Sequence, residues 1–442
     1  MTKAIMIAAV KSGSGKTTFT CGLMQALLER GLKVKSFKCG PDYIDPMFHR
    51  TVLGVPSGNL DSFFCEKDKL RKIAGDGAKG ADIAIIEGVM GIYDGAGVSR
   101  TGSSYDLAEK LGIPILLLVD AKGMGATVIS LIKGILADDE SHLIKAVVLN
   151  QMSAHYYGMV APVIEKETGI RVLGHLPRMT DIGFESRHLG LKLPLEIADI
   201  QGKIGRVARQ IEETVNVDGL LECGGRLPDT EDDIKHNYDI RIAVARDEAF
   251  CFYYEENLRL LQRLGAELVY FSPVHDSVIP DNVDGLYIGG GYPELYARAL
   301  GDNLPMRESV KNAIQSGIPS IAECGGFQYL QESLESEPMA GAIHGESFDT
   351  GKLVRFGYVT LTAKTDTFLE KGDSIKAHEF HYYDSTDNGN DIMCVKASNG
   401  AMYEAVFAGD NYWWGYPHIY MPSNESFAER FILACRAAGK VN

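Results

Sequence analysis

The stretch that most constrains the fold lies at residues 9–18 and reads AVKSGSGKTT. It follows an apolar run at 4–8, which predicts a buried first strand, and it precedes an apolar-periodic segment at 19–28, which predicts a helix. A glycine-rich turn between a strand and a helix is the context of a phosphate-binding loop, because its backbone N–H groups can turn inward around phosphate oxygens. The chain is therefore predicted to open with a nucleotide-binding unit.

The side chains and amides of this loop have predicted roles. Lys16 can reach the β- and γ-phosphates of ATP, and the Thr17 hydroxyl can ligate Mg²⁺. The field at the helix N-terminus also favours a bound anion. The predicted nucleotide-binding residues are Gly13, Ser14, Gly15, Lys16, Thr17 and Thr18.

One position departs from the usual G-x-x-x-x-G-K-[ST] pattern, because Val10 replaces the first glycine. Lys11 stands where the deviant form of the loop, known in dimeric ATPases, carries a second lysine. Two interpretations of Lys11 stay open: it contacts a phosphate, or it is a solvated loop lysine. The oligomeric state is also open, with a homodimer as one alternative.

Composition limits the range of partners. A chain of 442 residues is long enough for two domains. Its formal net charge of −15 argues against nucleic acid or an anionic membrane as the main partner. Eight cysteines without a C-x-x-C pair predict reduced thiols in a cytoplasmic protein.

The first half of the chain alternates short apolar runs with helical patterns, which predicts an α/β fold with a doubly wound parallel sheet. Ligands of such sheets bind outside the carboxyl ends of the strands, so functional residues are expected directly after each strand. The predicted strands are 4–8, 33–37, 83–87, 115–119, 146–149 and 172–174, and a helix at 197–215 is predicted to close the domain.

Two carboxylates follow the second predicted strand. Asp42 and Asp45 lie within residues 38–46, which read KCGPDYIDP. Carboxylates at this edge of the sheet can hold Mg²⁺ or position a substrate. The alternative for each aspartate is turn chemistry, since Asp is common in turns.

The third predicted strand ends in Glu87 and runs into residues 87–95, which read EGVMGIYDG. Glu87 is a candidate Mg²⁺ ligand, and Asp94 lies in a glycine-rich loop that can close over a substrate. Asn150 follows a later strand, where its amide either contacts a purine edge or caps the strand end. Turn chemistry is again the alternative for Asp94.

A second α/β pattern begins after residue 238. The stretch 218–238 is rich in glycine and charge and is interpreted as a linker. The predicted domains are 1–220 and 239–442, separated by a linker at 221–238. Predicted strands of the second domain are 240–244, 267–271, 285–288 and 320–323, with a helix at 256–264.

Cys324 is the second strong signal, at the start of the stretch CGGFQ between a predicted strand and a predicted helix. A cysteine in this position forms a nucleophile elbow, and the helix N-terminus is expected to lower the pKa of its thiol. The amides of Gly290, Gly291 and Gly325 are predicted to form an oxyanion hole. The other seven cysteines are interpreted as structural.

A nucleophilic cysteine needs a base, and His418 in the stretch GYPHIY is the candidate. His378 and His381, in the stretch HEFH, form the other histidine cluster. Their spacing of three residues places them on opposite faces of a strand but on one face of a helical turn. A metal pair is possible in principle, but no third ligand is evident, so substrate contact or a structural role is preferred.

The pattern around Cys324, with Gln328 four residues on and a late His418, resembles the class I glutamine amidotransferases over about residues 240–435. The resemblance implies that Cys324 attacks the amide of L-glutamine and that His418 relays the proton. Many members carry a glutamate two residues after this histidine, whereas Tyr420 stands there in this chain.

The first half resembles the dethiobiotin-synthetase-like ATP-dependent carboxylate-activating domain. Joined in this order, the two halves resemble the cobyrinic acid a,c-diamide synthase family. The stretches that carry this resemblance are 40–46, 87–95, 187–191, 289–294 and 378–381. A departure lies at 416–420, where many members carry a second histidine.

The resemblance implies amidation of the c and then the a side chain of cobyrinic acid in cobalamin biosynthesis, through acyl phosphates. ATP and glutamine are the implied co-substrates. Mg²⁺ would be held by Thr17, Glu87 and Asp42. Asp45 and Asp94 would position the substrate carboxylate and the nucleotide.

Two rival functions stay open. The nearest is the same amidation on nickel-sirohydrochlorin, a related tetrapyrrole. The rival from a different class is a ParA/MinD-like ATPase switch, suggested by Lys11. Such a switch does not need Cys324, so glutamine hydrolysis distinguishes the two classes.

Overall fold

A computed structural model describes residues 1–180, 182, 186–187, 190–191, 199–230 and 239–439. The chain divides into two compact units, residues 1–232 and 233–442. Part of the family-like stretch at 187–191 and the end of the expected linker, 231–238, lie outside the described residues. None of the described helices is long and apolar enough to cross a membrane.

The first unit is built on a parallel sheet with the strand order β3-β2-β4-β1-β5-β6-β7, and β10 joins β1 in the antiparallel direction. Its strands are β1 (Lys3–Ala9), β2 (Val34–Cys39), β3 (Ser57–Leu60), β4 (Ile83–Glu87), β5 (Ile115–Asp120), β6 (Ile144–Asn150), β7 (Arg171–Leu176), β8 (Ser186–Arg187), β9 (Gly190–Leu191) and β10 (Gly225–Arg226). Its helices are α1 (Lys16–Glu29), α2 (Ile44–Leu53), α3 (Lys67–Ala78), α4 (Ser104–Leu111), α5 (Thr127–Ala137), α6 (Ala154–Thr168), α7 (Ile200–Thr214) and α8 (Val217–Cys223).

The predicted doubly wound α/β fold of this unit is confirmed. β1 and β5 lie in the middle of the sheet and are buried along nearly their whole length. Central parallel strands are covered on both faces, so they read as continuous apolar runs, and this is why the sequence reveals them. The edge strand β3 was not predicted, because Ser57 and Asn59 are polar and Gly58 has no side chain, although the structure buries all three.

The stretch interpreted as a linker starts with ordered structure. Helix α8 occupies its beginning, and β10 pairs with β1 through Lys3↔Arg226 and Ala4↔Gly225. Its glycines and charges are typical of a linker, but the backbone at 225–226 adds a strand to the first sheet.

The second unit contains a mixed sheet with the strand order β12-β11-β13-β14-β24-β23, in which only the β23–β24 pair is antiparallel. Its strands are β11 (Ile240–Ala245), β12 (Ala266–Phe271), β13 (Gly285–Ile288), β14 (Ser320–Glu323), β15 (Ser333–Leu334), β16 (Glu337–Pro338), β17 (Glu346–Asp349), β18 (Arg355–Ala363), β19 (Ser374–His381), β20 (Tyr383–Ser385), β21 (Ile392–Lys396), β22 (Met402–Ala405), β23 (Phe407–Ala408), β24 (Tyr412–Gly415) and β25 (His418–Ile419). Its helices are α9 (Glu255–Arg263), α10 (Ala297–Asp302), α11 (Leu304–Gln315), α12 (Gly325–Leu330) and α13 (Glu425–Gly439).

A further sheet of this unit, β22-β21-β18-β19-β25, was not predicted. Its strands alternate buried and partly exposed residues, so they lack the continuous apolar runs of the central strands. The short strand β25 brings His418 opposite His378 of β19. This sheet therefore positions His378, His381 and His418.

Candidate functional sites

The loop between β1 and α1 takes a conformation that favours glycine at two positions. Gly13 and Gly15 have φ angles of 74° and 87°. A Cβ on Gly15 would also lie 2.6 Å from Nδ2 of Asn150, which is too close for a side chain. The loop ends at Lys16, the first residue of α1, and Thr17 and Thr18 follow in the first helical turn. This is the backbone arrangement of a phosphate-binding loop.

Asn150 stabilises this loop from the end of β6. Its Nδ2 donates to the carbonyl oxygen of Ser14 at 2.8 Å, and its Oδ1 accepts from the amide of Gln151 at 3.0 Å. The contact with Gln151 is the strand-end cap that the sequence left as an alternative. The contact with Ser14 was not predicted. The contact with a purine edge stays a prediction.

The two lysines of the loop differ in their surroundings. Lys16 is buried and donates to the carbonyl oxygens of Met90 and Lys11. Burial, reinforced by the nearby Lys38 charge, lowers the pKa of Lys16 to about 8. The side chain of Lys11 is 65% exposed, with Nζ 3.4 Å from Oδ2 of Asp120. The solvated interpretation fits Lys11 in this structure, and a phosphate contact stays a prediction.

A buried charged cluster lies beside the loop. Thr17 Oγ1 is 2.6 Å from Glu87 Oε1 and 3.5 Å from Asp45 Oδ1. The ammonium of Lys38 contacts both carboxylates: it bonds to Asp45 Oδ2 and lies 3.0 Å from Glu87 Oε1. These ion pairs are buried: the side chains of Lys38, Asp45 and Glu87 are each at most 7% exposed.

The pKa values of the two carboxyl groups in the cluster shift in opposite directions. Burial opposes ionisation of Glu87, but the Lys38 ammonium and hydrogen bonds from His49 and Thr17 outweigh it and hold the pKa of Glu87 below its usual range. Burial and the Glu87 charge instead raise the pKa of Asp45. One ammonium therefore does not fully offset the burial of two carboxyl groups, and of the two it is Asp45 that favours its proton.

The oxygen donors of this cluster fit Mg²⁺. Hard divalent cations prefer carboxylate and hydroxyl oxygens. Carboxylate oxygens of Asp45 and Glu87 both lie within 3.5 Å of the Thr17 hydroxyl. A cation held there would take the place of the proton that Asp45 favours. The cluster is thus the candidate Mg²⁺ site beside the nucleotide-binding loop.

Asp42 contacts the backbone of the next helix, and its place in the predicted ligand set of Thr17, Asp42 and Glu87 stays a prediction. Asp42 Oδ1 accepts from the amides of Ile44 at 2.8 Å and Asp45 at 3.4 Å, so it contacts two backbone donors in the first turn of α2. The helix then places Asp45, which was expected to position substrate, beside Thr17. Sequence spacing could not distinguish the two aspartates, because both follow the same strand.

Asp94 is engaged within its own loop. Its Oδ2 accepts from the amide of Gly91 at 2.9 Å and would be 2.4 Å from a Cβ on that glycine. The turn chemistry that the sequence left as an alternative is therefore present. A contact of Asp94 with the nucleotide or substrate stays a prediction.

Two side chains of this site were not predicted, Lys38 and His49. His49 Nε2 lies 3.2 Å from Glu87 Oε2, and its Nδ1 lies 3.0 Å from the hydroxyl of Ser36. A lysine in a buried strand was an available signal, because an ammonium is almost never fully buried without a partner. Nothing in the sequence pattern marked His49.

Cys324 has the geometry of a nucleophile elbow. It lies between β14 and α12 with φ 49° and ψ −106°, a backbone conformation that L-residues rarely adopt. Its amide donates to Gly415 O at 2.8 Å, and its carbonyl accepts from Gln328 N at 3.0 Å. A Cβ on Gly326 would lie 2.1 Å from the carbonyl oxygen of Ile288, so the turn requires glycine there.

The glycines proposed for an oxyanion hole contact this elbow. A Cβ on Gly325 would lie 3.3 Å from the amide nitrogen of Gly291, and the Gly325 amide hydrogen-bonds to the Cys324 thiol. A Cβ on Gly290 would lie 2.3 Å from Cε1 of His418. The structure therefore brings all the predicted residues of the thiol site together.

Burial disfavours the charged forms of both the thiol and the imidazole. Burial and the charge of Glu294 raise the pKa of Cys324 to about 12, and the Gly325 amide offsets this only in part. Burial, with His378 and His381 nearby, lowers the pKa of His418 to about 3. The expected lowering of the thiol pKa by the helix N-terminus was wrong, because desolvation outweighs that field.

The HEFH stretch lies in the strand β19 and not in a helical turn. Of the two predicted arrangements of His378 and His381, the one for a strand therefore applies. His381 stacks on the ring of Tyr416 at 4.1 Å between centroids, and its Nδ1 lies 2.6 Å from the carbonyl oxygen of Tyr383. In the described part of the chain no group of three or more His, Cys, Asp and Glu side chains is arranged to hold a metal ion. The metal alternative for His378 and His381 therefore gains no support.

Position 420 provides no carboxylate to the histidine. Tyr420 is fully buried and packs edge-on against the ring of Tyr254, with 5.3 Å between centroids. A glutamate at this position supports the histidine in many amidotransferases of the class that the sequence resembles. The second site must therefore hold His418 by other contacts.

Comparison with protein families assigns each half of the chain separately. The family described as the CobQ/CobB/MinD/ParA nucleotide binding domain matches residues 5–190. The family described as the CobB/CobQ-like glutamine amidotransferase domain matches residues 241–426. These matches contain the nucleotide-binding loop and the Cys324 elbow, respectively.

Curated relatives match over nearly the full length. The cobyrinate a,c-diamide synthase of Clostridium acetobutylicum is 39% identical over 438 residues, which cover 97% of this chain and 100% of the relative. The protein of the same name from Picrophilus torridus is 39% identical over 444 residues, with 98% of both chains covered. The synthase of Caldanaerobacter subterraneus subsp. tengcongensis is 36% identical over 452 residues, with 100% of both chains covered.

Proposed function

The chain belongs to the cobyrinate a,c-diamide synthase family of ATP-dependent glutamine amidotransferase ligases, and we propose that it amidates the c and then the a carboxylate of cobyrinic acid through acyl phosphates. The observation that carries this proposal is the presence in one chain of a charged nucleotide-binding cluster around Lys16 and a strained thiol at Cys324. Neither site alone would perform the reaction.

The first half activates the carboxylate. An ionised carboxylate does not accept ammonia, because the oxygen that would have to leave is a poor leaving group. Its oxygen attacks the γ-phosphorus of ATP, the bond from that phosphorus to the β,γ-bridging oxygen breaks, and the products are an acyl phosphate and ADP. Lys16 stabilises the charge on the transferring phosphoryl group, and Thr17, Asp45 and Glu87 would hold Mg²⁺, which neutralises charge on the phosphate oxygens when bound.

The second half releases ammonia from glutamine. His418 takes the proton of the Cys324 thiol as sulfur attacks the carboxamide carbon, and amides of the Gly290–Gly291 loop and Gly325 stabilise the resulting oxyanion. The C–N bond then breaks, and the imidazolium returns the proton to the leaving ammonia. Water hydrolyses the thioester and gives glutamate.

Ammonia completes the reaction at the activated carboxylate. It attacks the acyl carbon, the C–O bond to phosphate breaks, and inorganic phosphate leaves with the former carboxylate oxygen. Each amide therefore consumes one ATP and one glutamine. The order, c before a, is carried over from the family resemblance.

A rival substrate and a rival class remain to be tested. Nickel-sirohydrochlorin offers comparable peripheral carboxylates, so the two tetrapyrroles are compared in parallel assays. A partner-binding ATPase switch is suggested by the MinD/ParA element of the first family's description. The elbow at Cys324 has no role in such a switch, so this second candidate receives less support.

Isotope transfer tests the proposed chemistry. Cobyrinic acid labelled with ¹⁸O in its carboxylates is incubated with ATP and amide-¹⁵N glutamine, and the products are analysed by mass spectrometry. The proposal expects two ¹⁵N atoms in the tetrapyrrole and one ¹⁸O atom in each phosphate released. Phosphate without ¹⁸O would exclude the acyl phosphate, and amidation of nickel-sirohydrochlorin alone would exclude the substrate.

A further inference from the structure

A buried carboxyl group lies directly beside the thiol elbow although position 420 supplies none. Glu323 is the last residue of β14, immediately before Cys324, and its side chain is almost fully buried. We propose that Glu323 is a positioning residue that fixes the backbone carrying His418 in register with Cys324. This inference rests on the proposed role of Cys324 and His418 in glutamine hydrolysis.

Both oxygens of Glu323 have hydrogen-bond partners. Oε1 accepts from the amide of Ile419 at 3.0 Å, and Oε2 accepts from the Tyr287 hydroxyl at 2.9 Å. Ile419 directly follows His418. A single hydrogen bond therefore joins the residue before the nucleophile to the residue after the base.

Asn257 holds the backbone that follows, and together with Glu323 it forms what we call the clamp on residues 419–421. Its Nδ2 donates to the carbonyl oxygen of Ile419 at 2.8 Å, and its Oδ1 accepts from the amide of Met421 at 2.8 Å. Strand β25 has only two residues and pairs with β19 along one edge. Side chains thus supply the contacts that a neighbouring strand would otherwise make.

The chemistry of Glu323 favours a role through hydrogen bonds and not through charge. Burial raises the pKa of Glu323 to about 8, so the group is mostly protonated near neutral pH. A neutral carboxyl group does not stabilise a nearby imidazolium by ionic attraction. It can still accept from the Ile419 amide, and a buried polar group that makes no such contact would destabilise the fold.

Small displacements of His418 have large effects on proton transfer from the thiol. A general base must lie within hydrogen-bond distance of the proton it takes, and a misplacement of about 1 Å can lower a rate on the order of 10²-fold. Loss of the clamp therefore lowers kcat for glutamine hydrolysis more than it changes KM for glutamine.

Two substitutions at one position separate hydrogen bonding from charge. Glu323→Gln keeps the acceptor for Ile419, and its amide NH₂ can donate to the Tyr287 oxygen, since a phenol both donates and accepts. We expect this variant to keep kcat for glutamine hydrolysis within about threefold of wild type, and Glu323→Leu to lose on the order of 10- to 100-fold. Ammonia-dependent amidation, which bypasses the thiol, is expected to stay unchanged in both.

A second clamp variant tests whether the two side chains act on the same backbone. Asn257→Leu is expected to lower kcat similarly, and the Glu323→Leu/Asn257→Leu pair to lose less than the product of the single effects. Should the leucine variants fail to fold, as monitored by the fluorescence of Trp413 and Trp414, Tyr287→Phe removes one hydroxyl with little change of volume. A kcat loss in that variant at unchanged KM supports the clamp, and wild-type kcat overturns it.

The remaining outcomes distinguish this inference from the proposed function. Equal losses in Glu323→Gln and Glu323→Leu would show that charge matters and would overturn the inference, as would wild-type kcat in a folded Glu323→Leu. Undiminished glutamine hydrolysis by Cys324→Ala would instead overturn the proposed function on which the inference rests.

Discussion

The two sites of the chain occupy equivalent places in their own sheets but hold charge in opposite ways. Each lies after the carboxyl ends of parallel strands. Beside the nucleotide-binding loop, Lys38 is buried between Asp45 and Glu87, and the cluster keeps its ion pair away from water. At the elbow, burial keeps the Cys324 thiol and the His418 imidazole neutral.

This difference follows the chemistry that each site is proposed to perform. Phosphoryl transfer from a polyanionic nucleotide benefits from charges that are arranged before the substrate arrives. Proton exchange between a thiol and an imidazole needs only a matched pair of groups that become charged during the reaction. The corresponding edges of the two sheets therefore serve two different reactions. The difference lies in which side chains are paired at each edge.

The largest effect is expected at the nucleotide-binding loop. Lys16→Met should lower amidation by about 10³-fold or more with either glutamine or ammonia as nitrogen source, because charge on the phosphoryl group loses its main protein partner. Glutamine hydrolysis should persist. The matched control Lys11→Met removes an exposed lysine and should change amidation less than about fivefold; equal losses in the two variants would contradict the assignment of Lys16.

A second comparison separates the aspartates that the sequence could not distinguish. Asp45→Asn should lower ATP-dependent amidation on the order of 10²-fold and raise the Mg²⁺ concentration needed for half-maximal rate. Asp42→Asn should leave the Mg²⁺ requirement near wild type, since the Asp42 carboxylate accepts from the Ile44 amide at the start of α2. A shifted Mg²⁺ requirement in Asp42→Asn alone would restore the sequence-based ligand set.

The neutral thiol gives a distinct alkylation profile. With a raised pKa, about 12, Cys324 should react slowly with iodoacetamide at pH 7. Below the pKa the thiolate fraction rises about tenfold per pH unit, so the rate should still climb at pH 9 and above, where a free thiol with a pKa of about 8.5 levels off. Peptide mass spectrometry separates Cys324 from the other cysteines. A plateau near pH 7 would show an ionised resting thiol.

The smallest effect concerns the pH dependence of stability in the second unit. Burial lowers the pKa of His378 from 6.5 to about 3, so its contribution to stability is complete above pH 6.5 and is lost as pH falls towards 3. Relative to His378→Gln, the wild-type free energy of unfolding should fall by about 1.4 kcal/mol per pH unit between pH 6 and 4.

Tryptophan fluorescence measures this difference in the right part of the chain, because the chain's two tryptophans, Trp413 and Trp414, belong to the second unit. Carboxyl groups are the same in both proteins and cancel in the comparison. Parallel pH profiles of the urea midpoints would contradict a buried neutral His378.

Much of the fold was predictable from the sequence because central parallel strands are continuous apolar runs. Lys16, Thr17 and Glu87 were found for the same reason, since each follows such a run. Cys324 was found from its glycines, which the elbow requires for close backbone packing. The cytoplasmic location stays a prediction.

Other features depend on tertiary contacts that no local pattern reveals. The choice between Asp42 and Asp45 depends on where α2 begins. The supporting roles of His49 and Glu323 depend on partners far away in sequence, Glu87 and Ile419. The pKa of Cys324 follows its burial, whereas the sequence showed only the adjacent helix.

The most direct test of the division of labour between the two sites is amidation of cobyrinic acid by wild type and Cys324→Ala, read by mass. Each protein receives ATP with either glutamine or ammonium as nitrogen source. Wild type should form the diamide from both sources, and Cys324→Ala from ammonium only. Diamide formed by Cys324→Ala from glutamine would contradict the role of the thiol, and no amidation by wild type with either source would contradict the substrate.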